Sequence, residues 1–393
     1  MVFPAKRLIP HIKMTSSGII LLTFISVFDK IKQTRYQCRN CGGTDTDMKK
    51  IISLLLAIIT AASLLSLTSC NEKNSAELYG YFDTDGMLYD YNGLSKRKFN
   101  SLLKMVNDEL REYHELYDIY HEYAGKSNAM TLNENAGKGP VKVDGKLIDL
   151  LVFAKELYTL TSGEVNVAMG AVLSIWHDCR EDSKKKPPVY RAPSEEELEA
   201  AAEHTDINDV IIDEAAGTVE LRDPEMSLDL GAVGKGYAVE MVAKMIEEKY
   251  GGGFVLDVGG NLRTIGSKPD GTGWLAGVRN PDQYSMETTV YKIYLQNLAM
   301  VTSGSYERVY TVDGVSYHHI INPETLFPTE YYLSLTVISE SSARSDALST
   351  ALFNMRYEEL SDFVSGNEDI FVIIVLPSGE VETLGKAPEG AKA

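Results

Sequence analysis

The stretch that most constrains this chain is residues 227–240, SLDLGAVGKGYAVE. A short apolar run carrying Asp229 reads as a strand. It passes through Gly231, Gly234 and Gly236 into a pattern (Tyr237, Val239, Met241, Val242, Met245, Ile246) that predicts a helix to about Tyr250. A glycine turn opening a helix aims free backbone N–H groups at whatever lies above it, and Lys235 adds a cation. The junction therefore suits an anion such as phosphate. A tight connection with a solvated lysine is the plainer alternative. The glycine spacing matches neither a P-loop nor a dinucleotide fingerprint, so both of those readings are excluded.

A net charge of −18 argues against binding nucleic acid or an anionic membrane through a broad basic surface. An anionic ligand must be held by local donors or a metal. The 393 residues allow one large or two intimately packed domains once the first seventy are set aside. Residues 48–70, MKKIISLLLAIITAASLLSLTSC, have a basic start, a short serine-interrupted apolar run and small residues before a cysteine, which is the pattern of an export signal. A short uncleaved anchor helix is the alternative. The expected organisation is an upstream extension over 1–47 with Met48 as the true start, a signal peptide over 48–69, a polar tether over 70–76 and one domain over 77–393. Cys38 and Cys41 form a lone CxxC with no second ligand pair, so no zinc site is expected there. Cys179 reads as a buried apolar residue.

Within the domain, residues 77–93 alternate aromatics with turn residues and predict a hairpin. Helices are predicted over 99–123 and 147–160, with a glycine- and asparagine-rich loop over 128–140 between them. His114 and His121 on the first of these read as packing or partly exposed groups. Residues 163–180, GEVNVAMGAVLSIWHDCR, mix glycines with apolar residues, which suits either close backbone approach to a flat ligand or plain helix packing. A charged loop follows over 181–193, and Ser194 with Glu197 predicts a capping box for an acidic helix. Hairpin strands are expected at 210–212 and 219–221, and a strand, glycine turn and strand at 251–266 with Asp257 and Asn261 near the turn. Further strands are predicted at 274–279, 289–295, 306–312 and 316–321, the last two joined by Asp313-Gly314. A helix over 342–355 and a hairpin over 370–384 complete an α+β fold with mixed or antiparallel sheets and packed helices.

Two further signals carry chemistry. Asp346 and Thr350 stand four apart on a predicted helix, so their oxygens share a face and suit a hard cation such as magnesium, although an aspartate near a helix start also serves as a cap. His318 and His319 lie at a strand end before a proline turn, where alternation sends one ring to the core and the other to a cleft. A histidine in that cleft could act as a general base. The small residues of VTSGSYERVY, just upstream, would let backbone approach a ligand.

Taken in order, DLGAVGKGYAVE, VTSGSYER, HHIINPETLFP and SDALSTALF resemble the signature blocks of the bacterial flavin transferases called ApbE, or FAD:protein FMN transferases. The resemblance runs from about Phe82 to the C-terminus. It implies transfer of FMN from FAD to a Thr or Ser hydroxyl of an exported flavoprotein, with release of AMP. It also implies Mg2+ held by a main-chain oxygen of Ala232 together with Asp346 and Thr350, FAD contacts from Asp229 and Lys235, and His319 rather than His318 as the base. Glu164, Val165 and Asn166 match a segment lining the flavin pocket. Residues 67–70 resemble a lipobox, which implies lipidation of Cys70 and a protein anchored to the membrane outside the cytoplasm. The chain departs from the family pattern at Leu326, where glycine is usual, and at residues 81–84. The competing functions are an FAD pyrophosphatase releasing FMN and AMP, and a non-catalytic surface lipoprotein that binds FAD.

Overall fold

A computed structural model describes residues 73–392. The upstream extension, the export signal, Cys70 and the Cys38/Cys41 pair lie outside the described residues. An eight-stranded antiparallel sheet organises the rest. Its order is β1 (Asn74–Tyr81), β2 (Thr84–Asp90), β6 (Phe254–Val258), β7 (Asn261–Ile265), β10 (Ala299–Gly304), β13 (Ser334–Ser339), β14 (Phe371–Val375) and β15 (Val381–Leu384). The sequence FVIIV of β14 is buried throughout because both faces of the sheet are covered.

On one face, Leu335, Val337, Val372 and Ile374 pack with Leu348 and Leu352 of α7 (Ser342–Asn354). Beside α7 runs α6 (Gly234–Tyr250), which also packs with α1 (Lys96–Tyr117). On the other face, Ile338, Phe371 and Ile373 meet a two-stranded sheet of β8 (Trp274–Arg279) and β9 (Thr289–Leu295) through Ala276, Val278, Ile293 and Leu295. A three-stranded sheet of β3 (Val141–Lys142), β5 (Thr218–Leu221) and β4 (Val210–Asp213) is accompanied by α2 (Ala129–Glu134) and α3 (Gly145–Leu160). The helices α4 (Gly170–Lys184) and α5 (Glu195–Ala202) pack together near the short hairpin of β11 (Tyr310–Val312) and β12 (Val315–Tyr317), and α8 (Tyr357–Ser365) follows α7. All strand ladders are antiparallel, as an α+β fold of hairpins requires.

Several expectations are corrected. Residues 74–76, assigned to the tether, begin β1, where the Asn74 amide donates to Asp90 at 2.7 Å and to the Leu94 carbonyl at 2.8 Å. The first helix ends at Tyr117, because the Asp118 carboxylate accepts from the Tyr120 and His121 N–H groups and draws the chain into a turn. The expected loop over 128–140 holds α2, started by a reciprocal capping box between Asn128 and Thr131. The charged loop begins later than 181, since α4 runs to Lys184. Residues 228–230 join no ladder. That segment is held by the Ser227–Met169 bridge and by the Asp229 N–H donating to the Val167 carbonyl at 2.9 Å. The strands expected at 306–312 and 316–321 shorten to β11 and β12, while β10, β13 and α8 were not anticipated at all.

Candidate functional site

The junction of the opening motif is shaped by one close approach. The Gly236 N–H donates to Asp346 Oδ2 at 2.6 Å, and a Cβ at position 236 would stand 2.2 Å from the Asp346 Cβ and 2.6 Å from the Ser342 carbonyl oxygen. Only glycine lets α6 come this near α7. A turn further along, the buried Glu240 carboxylate accepts from the Ser342 N–H at 2.7 Å and pairs with Arg263 at 3.3 Å, tying the start of α7 to α6. The Ser303 and Ser349 hydroxyls, 2.8 Å apart, join β10 to α7. The VTSG segment thus fastens the fold through Ser303, while Thr302, Ser303 and Gly304 also line the site cavity.

Lys235 points between Asn261 Oδ1, at 2.5 Å, and Asp346 Oδ1, at 3.4 Å. Thr350 lies one turn beyond Asp346 on α7. Asp346, Thr350, Ala232 and Lys235 all line a single cavity of about 1150 Å³, which exceeds the size of ordinary drug-like pockets and has room for a dinucleotide. Among the described residues no three His, Cys, Asp or Glu side chains gather as a metal cluster. A carboxylate, a hydroxyl and a main-chain carbonyl nevertheless form an all-oxygen donor set, which fits a hard cation that keeps water or phosphate in its shell.

The two histidines separate cleanly. His318 is buried, its Nε2 donates to the Thr329 carbonyl at 2.8 Å and its Nδ1 accepts from the Ile320 N–H at 3.2 Å, so neither nitrogen is free. His319 lines the cavity, and its Nδ1 lies 3.2 Å from the Glu307 carbonyl oxygen. A carbonyl only accepts, so Nδ1 carries the proton and Nε2 keeps its lone pair. Desolvation by the cavity walls, helped by the Arg308 guanidinium, lowers its pKa to about 4, although the residue keeps an exposed face. His319 is therefore a neutral imidazole at physiological pH, and its open nitrogen can take a proton.

All nine described residues singled out as candidates line this cavity: Glu164, Val165, Asn166, Asp229, Ala232, Lys235, His319, Asp346 and Thr350. Their chemistry differs. Val165 is core, and Asn166 spends its amide inside the fold, donating to the Thr205 carbonyl and accepting from the Ala168 N–H, both at 2.9 Å. Glu164 presents a buried Oε2 without a hydrogen-bond partner, and burial, with Glu359 and Glu324 adding to it, raises its pKa to about 7. Asp229 accepts from the Gly231 N–H at 2.8 Å, and burial raises its pKa against the opposing pull of that bond, His177, Arg308 and Arg180.

Residues not singled out build another wall. The Tyr120 and His177 rings stack with centroids 5.1 Å apart, and Tyr120 Oη and Arg180 Nη2 lie 3.3 and 3.1 Å from His177 Nδ1. The Trp176 indole N–H donates to the Leu326 carbonyl at 2.9 Å. Arg308 completes the cationic side of this wall. The sequence signal was the clustering of Trp176, His177 and Arg180 on one helix. Of the two explanations offered for the 163–180 run, close backbone approach is real, but its object is protein: a Cβ at Gly170 would stand 2.5 Å from the Ser227 carbonyl oxygen. The departure at Leu326 also resolves, since the leucine adopts the left-handed conformation itself, at φ +63°.

The sequence model of the ApbE family matches residues 86–374. Among curated proteins, the chain is 28% identical over 282 residues to an FAD:protein FMN transferase of Klebsiella pneumoniae, covering 72% of this chain and 84% of that one. It is 26% identical over 350 residues to the FAD:protein FMN transferase of Haemophilus influenzae, covering 85% and 96%. Among solved structures, the ApbE protein of Thermotoga maritima superposes with a TM-score of 0.69 at 27% identity, covering 79% of this chain and 97% of that one. The flavin transferase ApbE of Vibrio cholerae shares the fold, with a TM-score of 0.66 at 24% identity over 80% and 97% of the two chains.

Proposed function

The chain belongs to the ApbE family, and from that premise we propose that it transfers the FMN half of FAD to a Thr or Ser hydroxyl of an exported flavoprotein, with magnesium present, and releases AMP. The curated relatives that it matches over most of their length bear the name FAD:protein FMN transferase. The observation that carries the reading is the convergence on one cavity of a neutral histidine with an open Nε2, a lysine at a glycine junction and the Asp346/Thr350 oxygen pair.

The acceptor oxygen bonds to the FMN phosphorus as the bridging P–O bond breaks, and AMP leaves with the bridging oxygen. The hydroxyl proton passes to Nε2 of His319, while the Glu307 carbonyl holds the opposite ring nitrogen and so the tautomer. Lys235 orients the phosphates and offsets their charge, the N–H groups of Gly231, Val233, Gly234 and Gly236 being engaged within the fold. Asp346, Thr350 and the Ala232 main-chain oxygen would hold magnesium, which when bound supplies charge neutralisation at the pyrophosphate. Asp229 and Glu164 face the remainder of the ligand. Export and lipidation at Cys70 would put this chemistry at a membrane surface outside the cytoplasm, where such an acceptor resides.

Intact-mass spectrometry of an acceptor domain incubated with the protein, FAD and magnesium, with and without EDTA, tests the proposal. A magnesium-dependent gain of one FMN is expected, and Asp346→Ala should abolish it. Free FMN and AMP without any gain on the acceptor would replace the transferase with a pyrophosphatase. Intact FAD would point to a binding protein.

A further inference from the structure

The sheet of β8 and β9 shows two unlike faces. Trp274, Ala276 and Val278 alternate inward, and Ile293 and Leu295 join them against the main sheet. On the outward face Leu275 is 55% exposed and Tyr294, its direct cross-strand partner, 47% exposed. The connecting loop holds Tyr284 and Met286, both almost wholly in solvent. Four of the twelve large apolar side chains exposed among the described residues thus fall on one hairpin, a concentration that marks a contact surface rather than scattered surface residues.

This face is continuous with the cavity. Gly277, in the middle of β8, and Arg279, at its end, both line the cavity wall. Arg279 then reaches the residue that orients the base: its guanidinium lies 3.5 Å from the Glu307 carboxylate and over the Tyr306 ring at 5.8 Å, and the Glu307 carbonyl is the one that receives His319 Nδ1–H. Among the described residues β9 is the sole ladder partner of β8, which leaves a strand edge bearing unpaired backbone groups. A protein acceptor must bring a hydroxyl on a polypeptide to His319, and a strand edge beside an apolar face receives an extended segment through main-chain hydrogen bonds and side-chain contacts.

Resting on the transferase reading, we propose that the outward face of the β8–β9 hairpin and the free edge of β8 dock the acceptor protein, laying the extended segment that carries its Thr or Ser across Leu275 and Tyr294 toward His319. The outer edge of β9 is already bridged at Tyr294 by Lys392. Leu275 and Tyr294 lie outside the cavity lining, so FAD seated inside the cavity does not use them.

The test compares Leu275→Asp, Tyr294→Asp and the double variant with the full-length wild type, using a flavoprotein domain that the wild type labels and intact mass as the readout. Tyr79→Asp, at a tyrosine 63% exposed on β1 and outside the cavity lining, is the control. The expected result is a KM for the acceptor raised about tenfold in each single variant and further in the double. FAD affinity by fluorescence titration and the rate at saturating acceptor should stay at the wild-type values, and the control should match the wild type throughout. An acceptor KM unchanged in the double variant would overturn the docking surface while leaving the transferase standing. A wild type that labels no acceptor would overturn both.

Discussion

Two walls of the cavity are built on opposite principles. Where α6 meets α7 the wall is made of backbone, and its geometry depends on a missing side chain, with Gly236 donating to Asp346 across a gap that no Cβ could enter. The wall of Tyr120, His177, Trp176 and Arg180 is made of side chains that stack and hydrogen-bond through their tips. The first kind of wall holds charged groups to a set distance and fails abruptly when altered. The second can lose a contact and relax around it. Phosphate chemistry needs the former, since charge stabilisation depends on fixed positions, while a large flat ligand is served by the latter.

His319 gives the largest expected effect and sharpens the comparison, because it stands on the side-chain wall yet acts on the phosphates. His319→Ala should lower the transfer rate by roughly 10²–10⁴ with little change in melting temperature, the usual worth of a positioned general base. His318→Ala should do the reverse, costing stability through the orphaned Thr329 carbonyl and the lost edge contact with Phe353 while transfer persists. The pH profile of the wild type separates the roles further. Desolvation by the cavity walls and Arg308 lower the His319 pKa to about 4, so the open nitrogen stays unprotonated and the rate remains high as pH falls through 6.5, declining only as it approaches 4. An acid limb at the ordinary histidine value that disappears in His319→Ala would break the assignment of a base already neutral at that pH.

The same contrast explains what could be read from the sequence. The junction was legible because its demand is local: three glycines and a lysine within a few residues announce a backbone turn and the helix α6 behind it. The Asp346/Thr350 pair was legible because helical periodicity puts both on one face. The aromatic wall was not, since Tyr120, His177 and Arg308 come from separate segments and each alone has an unremarkable explanation. The strands β10 and β13, central to the sheet, escaped because AMVTSG and SLTVIS mix hydroxyl residues with apolar ones. Thr302 pairs with Thr336 across the ladder, and Ser303 and Ser339 pair with Ser349 and Ser345 of α7, each at 2.8 Å, so much of the polarity that resembled a loop is satisfied inside the fold. The resemblance to a family located the site, while the tautomer argument that separates His319 from His318 needed hydrogen-bond partners no sequence displays.

Gly236→Ala breaks the backbone wall directly. The added carbon would stand 2.2 Å from the Asp346 Cβ and 2.6 Å from the Ser342 carbonyl oxygen, and neither belongs to the flexible end of a side chain. Relief requires α6 and α7 to separate, which costs about 1–3 kcal/mol, as other overpacking changes do. Denaturant unfolding should show that loss, and transfer should fall further than stability because the Lys235–Asp346 spacing moves with the helices. A variant with wild-type stability and rate would mean that the junction is far more pliable than these distances allow.

Leu326 gives the smallest effect and probes the pliable wall at a strained turn. Its φ of +63° is a conformation that costs an L-residue about 1–2 kcal/mol, yet the turn is pinned on both sides. The Leu326 N–H donates to the Asn322 carbonyl at 2.8 Å, and the Leu326 carbonyl accepts from Trp176 at 2.9 Å. The side chain recovers part of that strain by packing, half-buried, against the cluster that includes Trp176 and Ile321. Leu326→Gly removes both the strain and the packing and adds freedom to the unfolded chain, so its net effect should stay within about 1 kcal/mol of the wild type. Leu326→Ala keeps the strain and loses the packing, and should be the less stable of the two by about 1 kcal/mol. Glycine outranking alanine reverses their order in ordinary helix interiors, so that ranking in thermal unfolding reports the left-handed turn itself. Equal stabilities would show that residue 326 is not held at positive φ, and that the indole of Trp176 is anchored by some other conformation of the loop.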